Sequence, residues 1–209
     1  MTRSVNTVPA SFSELTTVLG SLPGFDKVLR ALQSGRSAAI DGAWGSSRAI
    51  SIAAIIAARP QAATLVIQPT LRDAEEFADE LSSLTPHPVV YFPAWESLPD
   101  ADQAGDTVAA GRLKVIRRLS AADRALPVVV TSLPALLQPV PTRESIRKST
   151  RTLHTGDELS LSDFSDWLMA HGFERVTAVE MPGEFCIHGG ILDLFPATES
   201  DPVRIELFR

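Results

Sequence analysis

The sequence contains very little cysteine and histidine. One cysteine, Cys186, and four histidines are spread through 209 residues. A single cysteine cannot form a disulfide within the chain, and such usage is typical of proteins in a reducing cytoplasm. The cysteine and the histidines also show no metal-ligand spacing, so we predict no metal site.

Long hydrophobic runs and an excess of positive charge are missing as well. The most apolar run, Ala49–Ala58, spans ten residues, whereas a membrane-spanning helix needs about 20. The first 15 residues lack the apolar core of a signal peptide. The formal net charge of −6 disfavours sequence-independent DNA binding by the chain as a whole. We therefore predict a cytoplasmic location and no membrane partner.

Strand-like and helix-like segments alternate between residues 37 and 137. The predicted strands are Ser37–Ile40, Thr64–Gln68, Val89–Phe92 and Pro127–Thr131. The predicted helices between them include Leu71–Leu84, with Thr70 as its N-cap, and Asp106–Leu119. This alternation predicts an α/β domain with a parallel sheet and helices on both faces, which we assign to residues 1–141.

The pattern changes after residue 141. We predict a helix over Asp163–His171, with Ser162 as a candidate cap, followed by successive strands. The predicted strands are Arg175–Glu180, Glu184–Phe195 and Val203–Phe208. Residues 142–209 are therefore predicted to form a smaller α+β domain with a mainly antiparallel sheet.

The segment 183–196, GEFCIHGGILDLFP, combines apolar alternation with a glycine pair. In strict alternation Asp193 would share a face with Phe185 and Ile187, and an unpaired buried carboxylate is costly. A bulge at the glycines turns Asp193 outward, and we favour it. A tight hairpin at residues 188–190 is the competing geometry.

The turn at residues 41–49 has the context of a nucleotide-binding loop, which requires the pattern G-x-x-x-x-G-K-[ST]. The loop residues here are Gly42, Ala43, Trp44, Gly45, Ser46, Ser47, Arg48 and Ala49. Ser47 replaces the second glycine, Arg48 the lysine and Ala49 the hydroxyl that holds Mg²⁺. We interpret this as a degenerate phosphate loop, in which the helix N-terminus could still hold an anion.

Several segments resemble the N-terminal region of the bacterial transcription-repair coupling factors. Residues 183–196 are similar to the family signature G-E-F-x-x-R-G-G-I-L-D-I-F-P, of which the excinuclease subunit UvrB has a looser form. Further similar segments are PAWESLP (93–99), DTV with GRL (106–113), VVVTSLPALL (128–137) and PVRIELF (202–208). The resemblance implies a degenerate P-loop domain like the first domain of UvrB, followed by a UvrB-type interaction domain.

The resemblance also implies a function and a partner. Such a module has no catalytic residue or cofactor of its own and recruits the excision-repair protein UvrA to stalled RNA polymerase. Partner-binding positions of the family fall on Arg175, Cys186 and His188. The family signature has an arginine at the position of His188, and UvrB-like modules have a further one at the position of Cys186. ATP and Mg²⁺, RNA polymerase and DNA are bound by other domains of the parent, a DNA translocase. We therefore expect this chain to be a fragment of a longer protein.

Two other functions remain open on the sequence. The first is a nucleotide-binding lobe of an ATP-dependent helicase or translocase, and the substitutions at residues 47–49 argue against it. The second is a small-molecule α/β enzyme, for which the sequence offers no nucleophile–base–acid set. Within the resembling segments, we expect Trp95 to pack on the domain core. Arg112 is expected to be solvated or paired with Asp106.

Overall fold

A computed structural model describes residues 12–96, 107–120 and 127–208. The helices are α1 (Phe12–Gly20), α2 (Phe25–Gln33), α3 (Ser47–Ala58), α4 (Leu71–Leu84), α5 (Thr107–Ser120), α6 (Leu133–Leu137), α7 (Arg143–Lys148) and α8 (Leu161–Ala170). The strands are β1 (Thr64–Gln68), β2 (Val89–Phe92), β3 (Val128–Ser132), β4 (Glu174–Arg175), β5 (Glu184–His188), β6 (Ile191–Leu194) and β7 (Val203–Glu206). They form a three-stranded parallel sheet and a four-stranded, mostly antiparallel sheet, which confirms the predicted fold class.

The chain divides into two compact units. The first contains the residues up to 92 and residues 119–134, and the second contains residues 93–118 and 135–209. Each sheet lies within one unit. The boundary that the sequence suggests between residues 141 and 142 stays a prediction.

The first sheet has β3 at its centre, with β1 and β2 pairing parallel on either side. All five residues of β3 are buried, as expected for the central strand of a parallel sheet. The flanking strands begin and end where the sequence predicts them, at Thr64–Gln68 and Val89–Phe92. Continuous β-branched and aromatic runs are therefore a sufficient signal for these strands.

Helix α4 supplies much of the core of the first unit. Its N-cap is Thr70, as predicted, because the Thr70 side chain accepts a hydrogen bond from the backbone N–H of Asp73 at 3.1 Å. Ala74 and Leu81 are fully buried between the sheet and α3. The small side chains of Ala49 and Ala53 on α3 allow the two helices to approach closely.

Residues 37–40 do not form the predicted opening strand. They have no regular secondary structure, and their side chains are exposed. Within the described residues β1 pairs with β3 alone, and Leu65 and Ile67 on its far face are 54% and 50% exposed. An apolar run forms a strand only where its backbone N–H and C=O groups can pair with a neighbouring strand. The described part of the sheet provides no such strand beside residues 37–40.

The second sheet contains a tight hairpin, so the predicted bulge at the glycine pair is wrong. His188 pairs directly with Ile191, and Gly189 and Gly190 are the two residues of the turn. Gly189 has a φ of 62°, the sign that a type II′ turn needs at its first central position. Asp193 nevertheless turns away from the core, because the turn shifts the alternation by the same one step that a bulge would.

Two further local predictions need correction. The strand predicted over Arg175–Glu180 is only Glu174–Arg175, because the N–H groups of Glu180 and Met181 donate to the Glu184 carboxylate instead of to a neighbouring strand. The cap of α8 is Ser160, whose hydroxyl accepts from the N–H of Asp163, and not Ser162.

The core of the second unit lies between α8 and one face of the second sheet. Phe185 and Leu192 are fully buried there, and Leu168 of α8 is 1% exposed. Alternate residues of β5 and β6 supply this core, as expected for an antiparallel sheet with one covered face. None of the helices in the described ranges is long and apolar enough to cross a membrane.

Arg112 is buried, so the prediction of a solvated position was wrong. Only 2% of its surface is exposed. Its guanidinium donates to the carbonyl oxygens of Pro93 at 2.7 Å and Pro139 at 3.1 Å, and lies 4.5 Å from the ring centroid of Trp95. Asp106, the alternative partner, lies outside the described residues.

Candidate functional site

The second sheet has one face that α8 does not cover, which we call the outer face. Its residues are Cys186, His188, Ile191, Asp193, Arg204 and Glu206, which the strand registers place beside one another. The alternating residues Phe185, Ile187, Leu192, Leu194 and Ile205 point into the core. Because side chains alternate along a strand, burial of one set in the core turns the other set to the outer face.

One row of the outer face crosses three strands. Cys186 of β5 pairs with Asp193 of β6, which pairs with Arg204 of β7. Arg204 donates from Nε to Asp193 Oδ1 at 2.7 Å and from Nη2 to Oδ2 at 2.9 Å. The thiol of Cys186 lies 3.9 Å from Oδ2 on the other side. The carboxylate of Asp193 is therefore the centre of this row.

The ionisation of this row follows from the same contacts. The hydrogen bonds from Arg204 lower the pKa of the Asp193 carboxyl, and the charges of Arg204 and His188 add to this effect. The Asp193 carboxylate in turn raises the pKa of Arg204. Both groups are therefore charged at neutral pH, and the outer face carries a fixed ion pair.

The structure brings together two of the three predicted partner-binding residues. His188 is exposed and Cys186 is 4% exposed, and both lie on the outer face. Arg175 pairs with Phe185, whose side chain points into the core. Laterally paired residues lie on the same side of a sheet, so Arg175 is on the opposite side from Cys186 and His188.

An open cavity of about 680 Å³ lies over part of the outer face. Cys186, His188, Asp193 and Arg204 line it together with residues 177–179 and 202–203. Residues 177–179 belong to the loop before β5. The Glu184 carboxylate stabilises this loop, because it accepts hydrogen bonds from the backbone N–H groups of Glu180 and Met181 at 2.7 Å each. The pKa of the Glu184 carboxyl is lowered by these two hydrogen bonds.

The predicted phosphate loop has a glycine-supported turn but few free donors. Gly42 and Gly45 have φ values of 75° and 53°. The N–H groups of Ser47 and Arg48 donate to the carbonyls of Trp44 and Gly45, each at 3.2 Å. The Ser47 hydroxyl also donates to the Trp44 carbonyl at 2.7 Å. These groups are engaged within the loop and do not point together at a common anion.

Two further residues of that loop lie against the core of the first unit. Ala49 is fully buried, and the Arg48 guanidinium carbon lies 6.0 Å from the ring centroid of Phe77. Ser46 precedes α3 without a side-chain cap hydrogen bond. Throughout the described ranges no three His, Cys, Asp or Glu side chains are grouped so that they could hold a metal ion.

Comparison with known proteins connects this site to a family. The model of the UvrB interaction domain matches residues 152–209, the segment that forms the second sheet and α8. The transcription-repair-coupling factor of Bacillus subtilis is 30% identical over 197 residues, or 93% of this chain. The chain is a relative of the transcription-repair-coupling factors. The predicted resemblance to this DNA-repair family is thereby confirmed.

Other transcription-repair-coupling factors match over a smaller part of the chain. The protein from Mycobacterium tuberculosis is 37% identical over 155 residues, or 71% of this chain. The Escherichia coli protein is 27% identical over 159 residues, or 76% of the chain. The chain spans 16%, 12% and 14% of the length of the B. subtilis, M. tuberculosis and E. coli relatives.

Sequence reasoning missed two members of the candidate site, Asp193 and Arg204. Arg204 lies in the segment PVRIELF, where the alternation of Val203, Ile205 and Leu207 with charged residues already places it opposite the apolar side. That signal shows a polar face but does not show which strand lies beside it. Pairing of Arg204 with Asp193 required the strand order.

Proposed function

We propose that this chain is a non-catalytic recruitment module that binds UvrA through the outer face of its second sheet. The observation that supports the proposal most directly is the match of the UvrB interaction domain to residues 152–209. The exposed face of that domain carries His188 and Arg204 around a shallow cavity. These side chains can donate hydrogen bonds to acidic or carbonyl groups of a partner.

The acidic composition of this region makes the position of each cation important. Residues 155–209 contain eleven Asp or Glu residues and three arginines. Long-range attraction therefore does not favour an acidic partner, and docking must depend on local contacts. Within the outer face Arg204 is the permanent cation.

In the parent protein, the same docking would bring excision repair to a stalled RNA polymerase. Contacts with the polymerase and with DNA, and the hydrolysis of ATP with Mg²⁺, would belong to other domains of the parent. The chain itself would work without a cofactor. This proposal follows the coupling of transcription to repair in the name of the relatives.

A direct test is binding of purified UvrA to the chain by biolayer interferometry. We expect saturable binding by the wild type and weaker binding by His188→Ala. Arg175→Ala tests the other side of the sheet, which the sequence also predicts to contact UvrA. Arg72→Ala serves as a matched control, because Arg72 is an exposed arginine of the first unit that pairs with Glu76.

The outcomes separate the possible sites. Loss of binding with His188→Ala alone places the contact on the outer face, whereas loss with Arg175→Ala alone places it on the α8 side. If wild-type chain captures no UvrA at concentrations where an intact relative does, the recruitment proposal is wrong. Loss with Arg72→Ala would point to the first unit instead.

The nucleotide-binding alternative has its own test. Gly42 and Gly45 keep the positive φ values of a tight loop, but Ala49 offers no hydroxyl to Mg²⁺ and the nearby N–H groups are engaged. We expect no heat of binding when Mg-ATP is titrated into the chain. Saturable binding that disappears in Arg48→Ala would favour the helicase-lobe function.

A further inference from the structure

We propose that Asp193 is a positioning residue that holds Arg204 so that one edge of its guanidinium binds a carboxylate of the docking partner. This inference rests on the proposed function, because it specifies how the outer face recognises UvrA. It assigns a role to a residue pair in the centre of that face.

The exposed member of the ion pair is the arginine. The Arg204 side chain is 61% exposed, whereas the Asp193 side chain is 25% exposed. Asp193 is flanked by Cys186 on β5 and by Arg204 on β7. A partner that approaches the outer face therefore meets the guanidinium first and the carboxylate hardly at all.

The geometry of the pair leaves part of the guanidinium available. Arg204 uses Nε and Nη2 for Asp193, at 2.7 and 2.9 Å. A guanidinium has five N–H donors in a rigid planar fork, so Nη1 and the second hydrogen of Nη2 are not used by Asp193. These two nitrogens match the two oxygens of a second carboxylate, and such bidentate pairs are the strong charge-assisted kind.

Asp193 also selects among orientations that Arg204 could adopt. Glu206 lies two residues along the same strand on the same face, and its charge also favours the charged form of Arg204. Without Asp193 the flexible arginine is free to turn toward Glu206. The bidentate bond to Asp193 holds the side chain before docking, which reduces the entropy that binding must remove.

Net charge alone predicts the opposite effect of changing Asp193. Removing one negative charge from the outer face brings it closer to neutral and should favour an acidic group of a partner. Glu206→Gln and Asp193→Asn remove the same charge from the same face. A positioning role therefore makes a distinct prediction: Asp193→Asn weakens docking, and Glu206→Gln does not.

The test combines a double-mutant cycle of binding affinities with a measurement of the mobility of the Arg204 side chain. UvrA affinity is measured for wild type, Asp193→Asn, Glu206→Gln, Arg204→Gln and the double variant at positions 193 and 204. We expect Asp193→Asn to weaken binding by about tenfold, the size of a typical interaction between contacting residues. In the Arg204→Gln background, Asp193→Asn should change the affinity by less than about twofold, because its effect passes through Arg204.

The NMR signal of the Arg204 Nε–H group measures the mobility of this side chain in the absence of a partner. It therefore shows whether Asp193 holds Arg204 in place, which we call the clamp. We expect a restricted side chain in wild type and a mobile one in Asp193→Asn, with thermal unfolding midpoints measured to confirm that each variant folds. Equal mobility of the Arg204 side chain in wild type and in Asp193→Asn would overturn the clamp. Additive effects on affinity, or stronger binding by Asp193→Asn, overturn the role in docking. If no variant binds UvrA, the proposed function fails, while a loss of restriction in Asp193→Asn still supports the clamp.

Discussion

Replacement of Arg112 by methionine is the perturbation with the largest expected effect on stability. Arg112 lies on α5 and is 2% exposed. Burial lowers the pKa of its guanidinium, yet the group keeps its charge because backbone carbonyls surround it. Methionine fills a similar length of space but can donate to none of those carbonyls.

The magnitude follows from the contacts. The hydrogen bonds to the Pro93 and Pro139 carbonyls, at 2.7 and 3.1 Å, are short enough to count fully, whereas the remaining ones, at 3.4 to 3.5 Å, lie at the limit of a hydrogen bond. Two hydrogen bonds from a charged donor contribute about 1.5–3 kcal/mol each. The contact with Trp95, at 4.5 Å, adds about 1–2 kcal/mol. We therefore expect a loss of about 4–8 kcal/mol, a large part of the total stability of a domain.

Urea denaturation followed by circular dichroism and tryptophan fluorescence measures this loss. Arg118→Met is the matched control, because Arg118 is an exposed arginine on the same helix and should change stability by less than about 0.5 kcal/mol. Arg112→Lys should be intermediate, since it keeps the charge but not the fork. Equal unfolding midpoints for Arg112→Met and Arg118→Met would refute the reasoning.

Three further predictions concern the second unit. Leu192→Ala, in a fully buried position, should lower the free energy of unfolding by about 2–5 kcal/mol, whereas Leu137→Ala, at a side chain 80% exposed, should leave it nearly unchanged in the same urea titration. Gly189→Ala should cost about 1–2 kcal/mol because of the φ of 62°. An added Cβ there meets no atom within 4 Å, so a loss much above that range would show that backbone strain is not the cause. The pKa values of the Glu184 and Asp193 carboxyls are lowered in the folded protein, so their stabilisation is present above the unfolded values and is lost as pH falls through the folded ones. Thermal unfolding midpoints should therefore fall in acid below the ordinary pKa of 4.5 for Glu184, and less steeply in Glu184→Gln; parallel pH profiles for the two proteins would contradict this assignment.

Much of the fold could be predicted because local chemistry specifies it. The runs TLVIQ and VVYF predict their strands to the residue, since β-branched and aromatic residues favour strands. Thr70 caps α4 because its hydroxyl lies within reach of the next N–H groups along the chain. In each case the predictive signal lies in the residues of the segment itself.

Predictions failed where the answer depended on a distant segment. The SAAI run at residues 37–40 has the composition of a strand but no ladder beside it in the described residues. Arg112 has the sequence context of an exposed helix position. Its burial depends on the carbonyls of Pro93 and Pro139, which a one-dimensional pattern does not bring to it.

The candidate site shows the same division. The sequence by itself determined the resemblance to the transcription-repair-coupling factors, the alternation that turns Cys186 and His188 to one face, and the loss of the lysine and hydroxyl of a phosphate loop. Only the tertiary structure decided that Arg175 lies on the other side of the sheet and that Asp193 pairs with Arg204. The physical reason is that alternation assigns a residue to a face, whereas strand order and register decide which residues become neighbours across it.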